Sequence, residues 1–123
     1  MILDANPVYA SARGGAFARA LRRIEFSLHC GLWHDETGQA CRFHAPLAHP
    51  LESWSDGRAA DGTAVIVQPL VRPFYDVRPL HKLVAAIGGD FAADDHALVQ
   101  QTWTATWGAL QPNWDQALLK GVA

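Results

Sequence analysis

The spacing of apolar residues at the start of the chain alternates between the periods of a strand and a helix. Residues 1–4 are a short apolar run that predicts a buried strand, and Asn6 with Pro7 after it indicates a loop. From Gly15 onward, apolar residues recur every three or four positions with arginines in the gaps, which predicts an amphipathic helix. Residues 25–30 alternate and predict a second strand. Strand, helix and strand in this order form a βαβ unit, so we expect parallel strands.

The middle of the chain combines weak and strong signals. Asp35 is a good cap for a short helix that begins at the Asp35-Glu36-Thr37 turn. Residues 42–62 carry proline, glycine and polar residues with little period, so we predict a long irregular connection there. Residues 63–68 (TAVIVQ) are β-branched and apolar, and we predict a buried strand.

Three apolar helical patterns follow, centred on Leu83, Trp103 and Leu118. Their flanks carry start and stop signals, which are Pro79 and Gly88-Gly89 for the first, Asp94 or Asp95 for the second, and Pro112 with Asn113 for the third. Alternating strands and helices predict an α/β fold of three layers, in which helices flank a mostly parallel sheet. The strand-like and helical patterns run close to both ends, so we expect residues 1–123 to be one partial α/β domain, a segment of a larger one.

Composition excludes some classes of function. Ten Lys+Arg against twelve Asp+Glu give a formal charge of -2, which supplies no broad cationic surface for nucleic acid. No apolar run reaches the ~20 residues that cross a bilayer, and the N-terminus lacks the order of residues that marks a signal peptide. We therefore expect no nucleic-acid partner, and membrane association only through other proteins.

Imidazoles and thiols, the usual zinc ligands, are concentrated between residues 29 and 49. The set is His29, Cys30, His34, Cys41, His44 and His49. Their spacing contains no CxxC pair and no HExxH motif, so we assign no metal ligand. A small zinc-binding domain built on His29, Cys41, His44 and His49 is an alternative, and a nucleophilic pair of Cys41 and His44 lacks a recognisable orienting group.

The polar loop after Cys41 also contains carboxylates that could suggest acid–base chemistry. Glu52, Asp56 and Asp61 are of this kind, but acidic residues in a polar loop are usually solvated or cap turns. We expect His44, His49 and Glu52 to form structural hydrogen bonds, with partners in the loop after residue 4. We assign no catalytic residue, and the chain has no complete active site.

Three strings of sequence occur in an order that matches a known family: ILDANPVY, FSLHCGLWHDETGQACRFHAPLAHPLESWSD and DGTAVIVQPLVRPFYD. They resemble the molybdopterin oxidoreductase family, and within it the Tat-translocated, molybdopterin-like iron–sulfur subunit of alternative complex III, a quinol:cytochrome c oxidoreductase. The most specific parts are residues 35–37 (DET), the histidine-rich residues 41–49, and residues 51–54 (LESW). The chain departs from the family pattern at Pro50 and Ser55.

The resemblance carries two implications for function. In the wider family this region helps to hold molybdopterin guanine dinucleotide, and Asn6, Asp35, Glu36 and Thr37 are the implied contacts if the cofactor is retained. The alternative complex III branch is understood to have lost that cofactor and to keep its iron–sulfur clusters in a separate domain. The resemblance therefore implies a non-catalytic scaffold segment of a respiratory, quinol-oxidising subunit, without a cofactor of its own. Such a subunit lies at the periplasmic face of the bacterial membrane, and its partners are the remainder of the parent subunit and the other subunits of the respiratory complex.

Overall fold

The chain divides into two units in a computed structural model that describes residues 1–108 and 113–121. Unit 1 consists of Met1–Leu47 and Asp76–Arg78, and unit 2 consists of Ala48–Tyr75 and the chain from Pro79 onward. The assignment of residues 1–123 to one partial domain stays a prediction.

Unit 1 contains a parallel sheet with helices in its connections. Strands β1 (Ile2–Leu3), β2 (Leu28–Gly31) and β3 (Phe43–Pro46) lie in the order β1-β2-β3, and both neighbouring pairs are parallel. Helices α1 (Pro7–Ala10) and α2 (Gly14–Leu21) connect β1 to β2, and α3 (Glu36–Ala40) connects β2 to β3. The predicted α/β class and the parallel βαβ unit are confirmed.

The loop predicted after β1 is wrong in one respect, because Asn6 and Pro7 begin a helix. The Asn6 side chain accepts a hydrogen bond from the backbone N–H of Tyr9, as an N-cap residue does. Proline at the first helical position loses no hydrogen bond, because that N–H has no partner within a helix. The residue pair that was predicted to lie in a loop therefore starts α1.

Unit 2 combines a two-stranded sheet with three helices in the described ranges. Strands β4 (Ser55–Arg58) and β5 (Ala64–Val67) are antiparallel, and helices α4 (Leu80–Ile87), α5 (Asp95–Trp107) and α6 (Asn113–Lys120) follow. A short 3-10 helix, Pro50–Glu52, precedes β4. The core of unit 2 consists of Ala64, Ile66, Val99, Trp103, Trp114 and Ala117.

The long irregular connection predicted for residues 42–62 is wrong, since it contains β3, the 3-10 helix and β4. The sequence of β4, SDGR, has little intrinsic strand preference, so its backbone is held by the ladder to β5. The predicted burial of β5 holds only for alternate residues. Ala64 and Ile66 are buried, whereas Val65 faces outward and is 36% exposed.

The helix boundaries of unit 2 agree with the sequence signals. The Asp94 side chain caps α5 by accepting from the Ala97 N–H, and α4 begins after Pro79 and ends at Gly88. Asn113 is the first residue of α6, while Pro112 lies outside the described residues. In the part of the chain that the structure describes, no helix has both the length and the apolar character needed to cross a membrane.

Candidate functional site

The carboxyl ends of β1 and β2 form a small pocket in unit 1. Asp4 follows β1 with φ of 45°, a left-handed conformation that non-glycine residues seldom adopt, and its N–H donates to the carbonyl of Cys30 at 2.7 Å. The pocket has a volume of about 150 Å³ and is lined by Asp4, Ala5, Asn6, His29, Gly31, Leu32, Trp33 and Asp35. This is the sheet edge at which open α/β folds bind ligands.

The predicted site residues Asn6 and Thr37 lie together beside this pocket and bind each other. The Thr37 side chain is fully buried; its hydroxyl donates to Asn6 Oδ1 at 2.8 Å and accepts from the Val8 N–H at 3.1 Å. The Asn6 side-chain amide donates in turn to Glu36 Oε2 at 2.7 Å. These bonds join the start of α1 to the start of α3.

Asp35 and Glu36 complete the predicted set, with different surroundings. Asp35 Oδ1 accepts from the N–H groups of Thr37 and Gly38, at 3.0 and 2.9 Å, and so caps α3. Glu36 is solvent-exposed, and the hydrogen bond from Asn6 is the main reason why its pKa lies below the ordinary value. The structure thus brings all four predicted residues to one place.

Two histidines, one from the predicted second strand and one from the predicted irregular connection, lie side by side on neighbouring strands of the sheet. His29 on β2 and His44 on β3 are register partners, and their Nδ1 atoms are 3.0 Å apart. The His29 ring is 1% exposed, and its Nε2 lies 3.3 Å from the Ala5 carbonyl and 3.7 Å from Asp35 Oδ1. The ring of His34 contacts His44 edge-on.

The absence of a side chain at Gly38 leaves space for the three imidazole rings. A Cβ at Gly38 would lie 3.0 to 3.4 Å from His34 Cδ2, His29 Nδ1 and His44 Nδ1. Any larger side chain at this position would force the imidazoles apart. Sequence analysis missed this arrangement, because the pairing depends on β3, which lies inside the predicted irregular connection.

The remaining candidate metal ligands are dispersed. Cys30 is buried, and this burial is the main reason why its pKa is raised, which disfavours the thiolate that binds metals. Cys41 packs against the apolar cluster of Ala18, Leu21 and Ala40. Within residues 1–108 and 113–121, no group of three or more His, Cys, Asp or Glu side chains is arranged to hold a metal ion. The described residues therefore do not form a ligand set for the alternative of a small zinc-binding domain.

His49 and Glu52 form hydrogen bonds, as predicted, but with local partners. His49 Nδ1 accepts from the Leu51 N–H at 3.1 Å, and Glu52 Oε2 accepts from the His49 N–H at 3.0 Å. This reciprocal capping box holds the 3-10 helix. The predicted partners in the loop after residue 4 are wrong, because the capping residues satisfy each other within a single turn.

The chain was compared with known proteins. No family model matches it. It is similar to the menaquinone reductase, molybdopterin-binding-like subunit of Nitratidesulfovibrio vulgaris strain Hildenborough, with 30% identity over 98 residues. This similarity supports a molybdopterin oxidoreductase-like family. The match covers 76% of this chain but 14% of the relative's length, so it concerns one part of a much longer protein.

The similarity bears on the family and leaves the cofactor untested. The relative is named a molybdopterin-binding-like subunit, in agreement with the family-level resemblance carried by the three sequence strings. The finer assignment to alternative complex III stays a prediction. A role of Asn6, Asp35, Glu36 and Thr37 in binding molybdopterin guanine dinucleotide also stays a prediction.

Proposed function

We propose that this chain is a non-catalytic scaffold segment of a respiratory electron-transfer oxidoreductase subunit. The similarity to a menaquinone reductase subunit supports the broad class of electron-transfer oxidoreductase. The scaffold role rests on the bonding pattern of the residues that the family would use for its cofactor.

The observation that carries the proposal is the hydrogen bonding of Thr37. Its hydroxyl has no solvent exposure and is used twice, as a donor to Asn6 and as an acceptor from the Val8 N–H. Asn6 directs its remaining side-chain donor group to Glu36. Groups paired in this way join two helix starts, and they would have to break these bonds before they could bind a nucleotide. Each buried polar group left unpaired costs about 1–3 kcal/mol.

The size of the adjoining pocket supports the same conclusion. Pockets that enclose drug-sized ligands usually have volumes of about 300–1,000 Å³. The pocket between the ends of β1 and β2 has about 150 Å³, and a pterin dinucleotide is larger than most drugs. The residues of this chain therefore do not fit the cofactor by themselves.

One observation favours the alternative, a molybdopterin guanine dinucleotide-binding segment of an active molybdoenzyme. Asn6 and Asp35 do line a pocket at the carboxyl ends of parallel strands, and Asp4 beside them has an unfavourable backbone conformation. Strain of this kind often accompanies ligand sites. The remainder of the parent subunit would have to supply most of the contacts.

The proposal also covers the partners of the chain and its location. We assign the chain to a subunit of the alternative complex III type at the periplasmic face of the membrane, with iron–sulfur clusters elsewhere in the parent subunit. Large apolar side chains on unit 2, including Val84, Ile87 and Phe91, are 50%, 58% and 85% exposed. Such surfaces are typical of contacts with other domains or subunits.

Molybdenum and pterin analysis of the complete polypeptide that carries these residues tests the proposal. We expect neither in stoichiometric amount. One molybdenum and the corresponding pterin per polypeptide would contradict the scaffold role and establish the alternative.

Two Thr37 variants separate a structural role from a cofactor role. Thr37→Val keeps the shape but leaves the Val8 N–H without its partner, so we expect a loss of about 1–3 kcal/mol in the free energy of unfolding. Thr37→Ser keeps the hydroxyl and should lose much less. A Thr37→Val protein of unchanged stability would show that the Asn6–Thr37 bonding is not structural.

A further inference from the structure

The geometry of the buried histidine pair defines where its protons lie. His29 Nε2 faces two oxygen acceptors, the Ala5 carbonyl at 3.3 Å and Asp35 Oδ1 at 3.7 Å. A nitrogen in that position is favoured as an N–H donor. Neutral His29 then has an unprotonated Nδ1, which can only accept.

The second imidazole fixes the other half of the arrangement. His44 Nδ1 lies 3.0 Å from His29 Nδ1, a distance at which one proton is shared. In the neutral pair, therefore, His44 Nδ1–H donates to His29 Nδ1, and His44 Nε2 is free of a proton. If both Nδ1 atoms carried protons, two donors would face each other and the bond would be lost.

We propose that the His29–His44 pair is a single-proton sensor that controls the cap of α3 and the pocket beside it. When one proton is added at His44 Nε2, the proton on His44 Nδ1 passes to His29 Nδ1. His29 becomes an imidazolium with both nitrogens donating, and His44 stays neutral with its proton on Nε2. One proton enters, no other covalent bond changes, and the 3.0 Å hydrogen bond between the two Nδ1 atoms is kept.

The charge that appears on His29 acts on Asp35. Asp35 Oδ1 now accepts from the Thr37 and Gly38 N–H groups, and it lies 3.7 Å from His29 Nε2. An imidazolium at that distance attracts the carboxylate away from the two amides. Because Asp35 and His29 both line the pocket, its polar wall changes at the same step.

The groups around the pair set the pH at which the sensor responds. Burial lowers the pKa of His44 most, the imidazoles of His29 and His34 lower it further, and Asp35 opposes them. Asp4 lines the pocket on the side of β1, and Gly38 of α3 packs against both rings. The pKa of His44, where the proton enters, therefore lies below the ordinary histidine value of 6.5.

Linkage then gives the direction of the effect on stability. The folded state holds the pKa of His44 below its unfolded value, so the unfolded chain binds more protons as the pH falls through 6.5. Unit 1 loses stability from that point down to the folded pKa, and the loss stops growing below it.

Ring-nitrogen NMR of the full chain, labelled with ¹⁵N, tests the proposal between pH 8 and pH 5. At pH 8 we expect the Nε2–H tautomer for His29 and the Nδ1–H tautomer for His44. On acidification we expect both rings to shift in one common step, and the Thr37 and Gly38 amide signals to move in the same step. The proposal would be overturned if the two rings titrated independently, or if the amide signals of Thr37 and Gly38 did not change in the common step.

Two variants isolate the pair from its surroundings. His44→Asn places an amide N–H near the position of Nδ1 but does not titrate, so the common step should be lost. His34→Gln leaves the pair intact and removes one neighbour that lowers the pKa of His44, so the common step should move to higher pH. A common step that survives in His44→Asn would contradict the proposal, and the titration of the natural chain decides it even if this variant fails to fold.

Discussion

Units 1 and 2 bury different kinds of side chain. The fully buried side chains of unit 1 include His29, Thr37 and Cys30, and its apolar cluster is made of the small group Ala18, Leu21 and Ala40. Unit 2 instead buries Val99 and two tryptophans, Trp103 and Trp114, around alternate residues of β5. The buried side chains of His29 and Thr37 give unit 1 directional hydrogen bonds, whereas the core of unit 2 is apolar packing.

This difference explains why the candidate site lies in unit 1. Hydrogen bonds fix the positions of the groups that make them, and in unit 1 they join the starts of α1 and α3 and cap α3. Apolar packing stabilises in proportion to buried area, at about 25 cal/mol per Å², but orients few polar groups. Unit 2 even leaves the buried indole N–H of Trp103 without a partner among the described residues. Unit 1 therefore holds polar side chains in defined positions, as a binding site requires, whereas the core of unit 2 positions few polar groups.

The largest expected effect is on the core of unit 2. Trp103 is 2% exposed, packs in the core cluster and lies under the guanidinium of Arg58, 5.1 Å from the ring centroid. Trp103→Ala removes this volume, and we expect a loss of about 3–5 kcal/mol. Hydrogen exchange measured by mass spectrometry should show lost protection in β4, β5, α5 and α6.

Trp33→Ala is the matched control, because Trp33 belongs to unit 1 and its side chain is 77% exposed. We expect almost no change in stability for this variant. Equal losses from Trp33→Ala and Trp103→Ala would refute the distinction between an apolar core in unit 2 and a hydrogen-bonded site in unit 1.

A smaller effect is expected from the packing of α2 in unit 1. A Cβ added at Gly14 would lie 1.8 Å from the carbonyl oxygen of Val8, so the backbone must move, while a Cβ at Gly15 meets only the Arg19 side chain, at 3.7 Å. Gly14→Ala should cost about 1–3 kcal/mol by overpacking. Gly15→Ala should stabilise by about 0.5–1 kcal/mol, because alanine is the better helix former.

Urea unfolding of the two variants measures this contrast. We expect changes of opposite sign in the free energy of unfolding, because only the Cβ at position 14 meets backbone atoms. If helix preference alone decided the outcome, both substitutions would stabilise the protein. If Gly14→Ala also stabilises, the close approach of α1 and α2 is not a constraint on unit 1.

The sequence predicted those parts of the fold that depend on local signals. The cap at Asp35, the cap at Asp94 and the start of α4 after Pro79 each arise from one residue type at one helix end, and all three are confirmed. Strands β3 and β4 were missed because FHAP and SDGR carry little strand pattern of their own, and ladders to β2 and β5 hold their backbones. Pairing between elements decides such segments.

The same limit applies to the candidate site. Asn6 and Thr37 could be selected as residues, yet their mutual hydrogen bond spans the connection between two strands and follows only from the parallel sheet. The contact between His29 and His44 requires the register of β2 with β3 as well. The family resemblance therefore identified Asn6 and Thr37, residue type identified the two histidines, and the topology determined their partners.

The smallest expected effect separates the exposed rim of the unit 1 site from its buried centre. Glu36 accepts from the Asn6 amide at 2.7 Å, but it is exposed, unlike Thr37. Glu36→Gln keeps an acceptor oxygen and should be nearly neutral at pH 7, whereas Thr37→Val is costly. The pKa of Glu36 is lowered, chiefly by the hydrogen bond from Asn6, so its contribution to stability is present above its ordinary value of 4.5 and is lost as the pH falls through the folded pKa. Urea unfolding of the natural chain and of Glu36→Gln, between pH 7 and pH 3, should therefore show a slightly weaker acid dependence in the variant. A loss at pH 7 as large as that of Thr37→Val would mean that the rim is as structural as the centre.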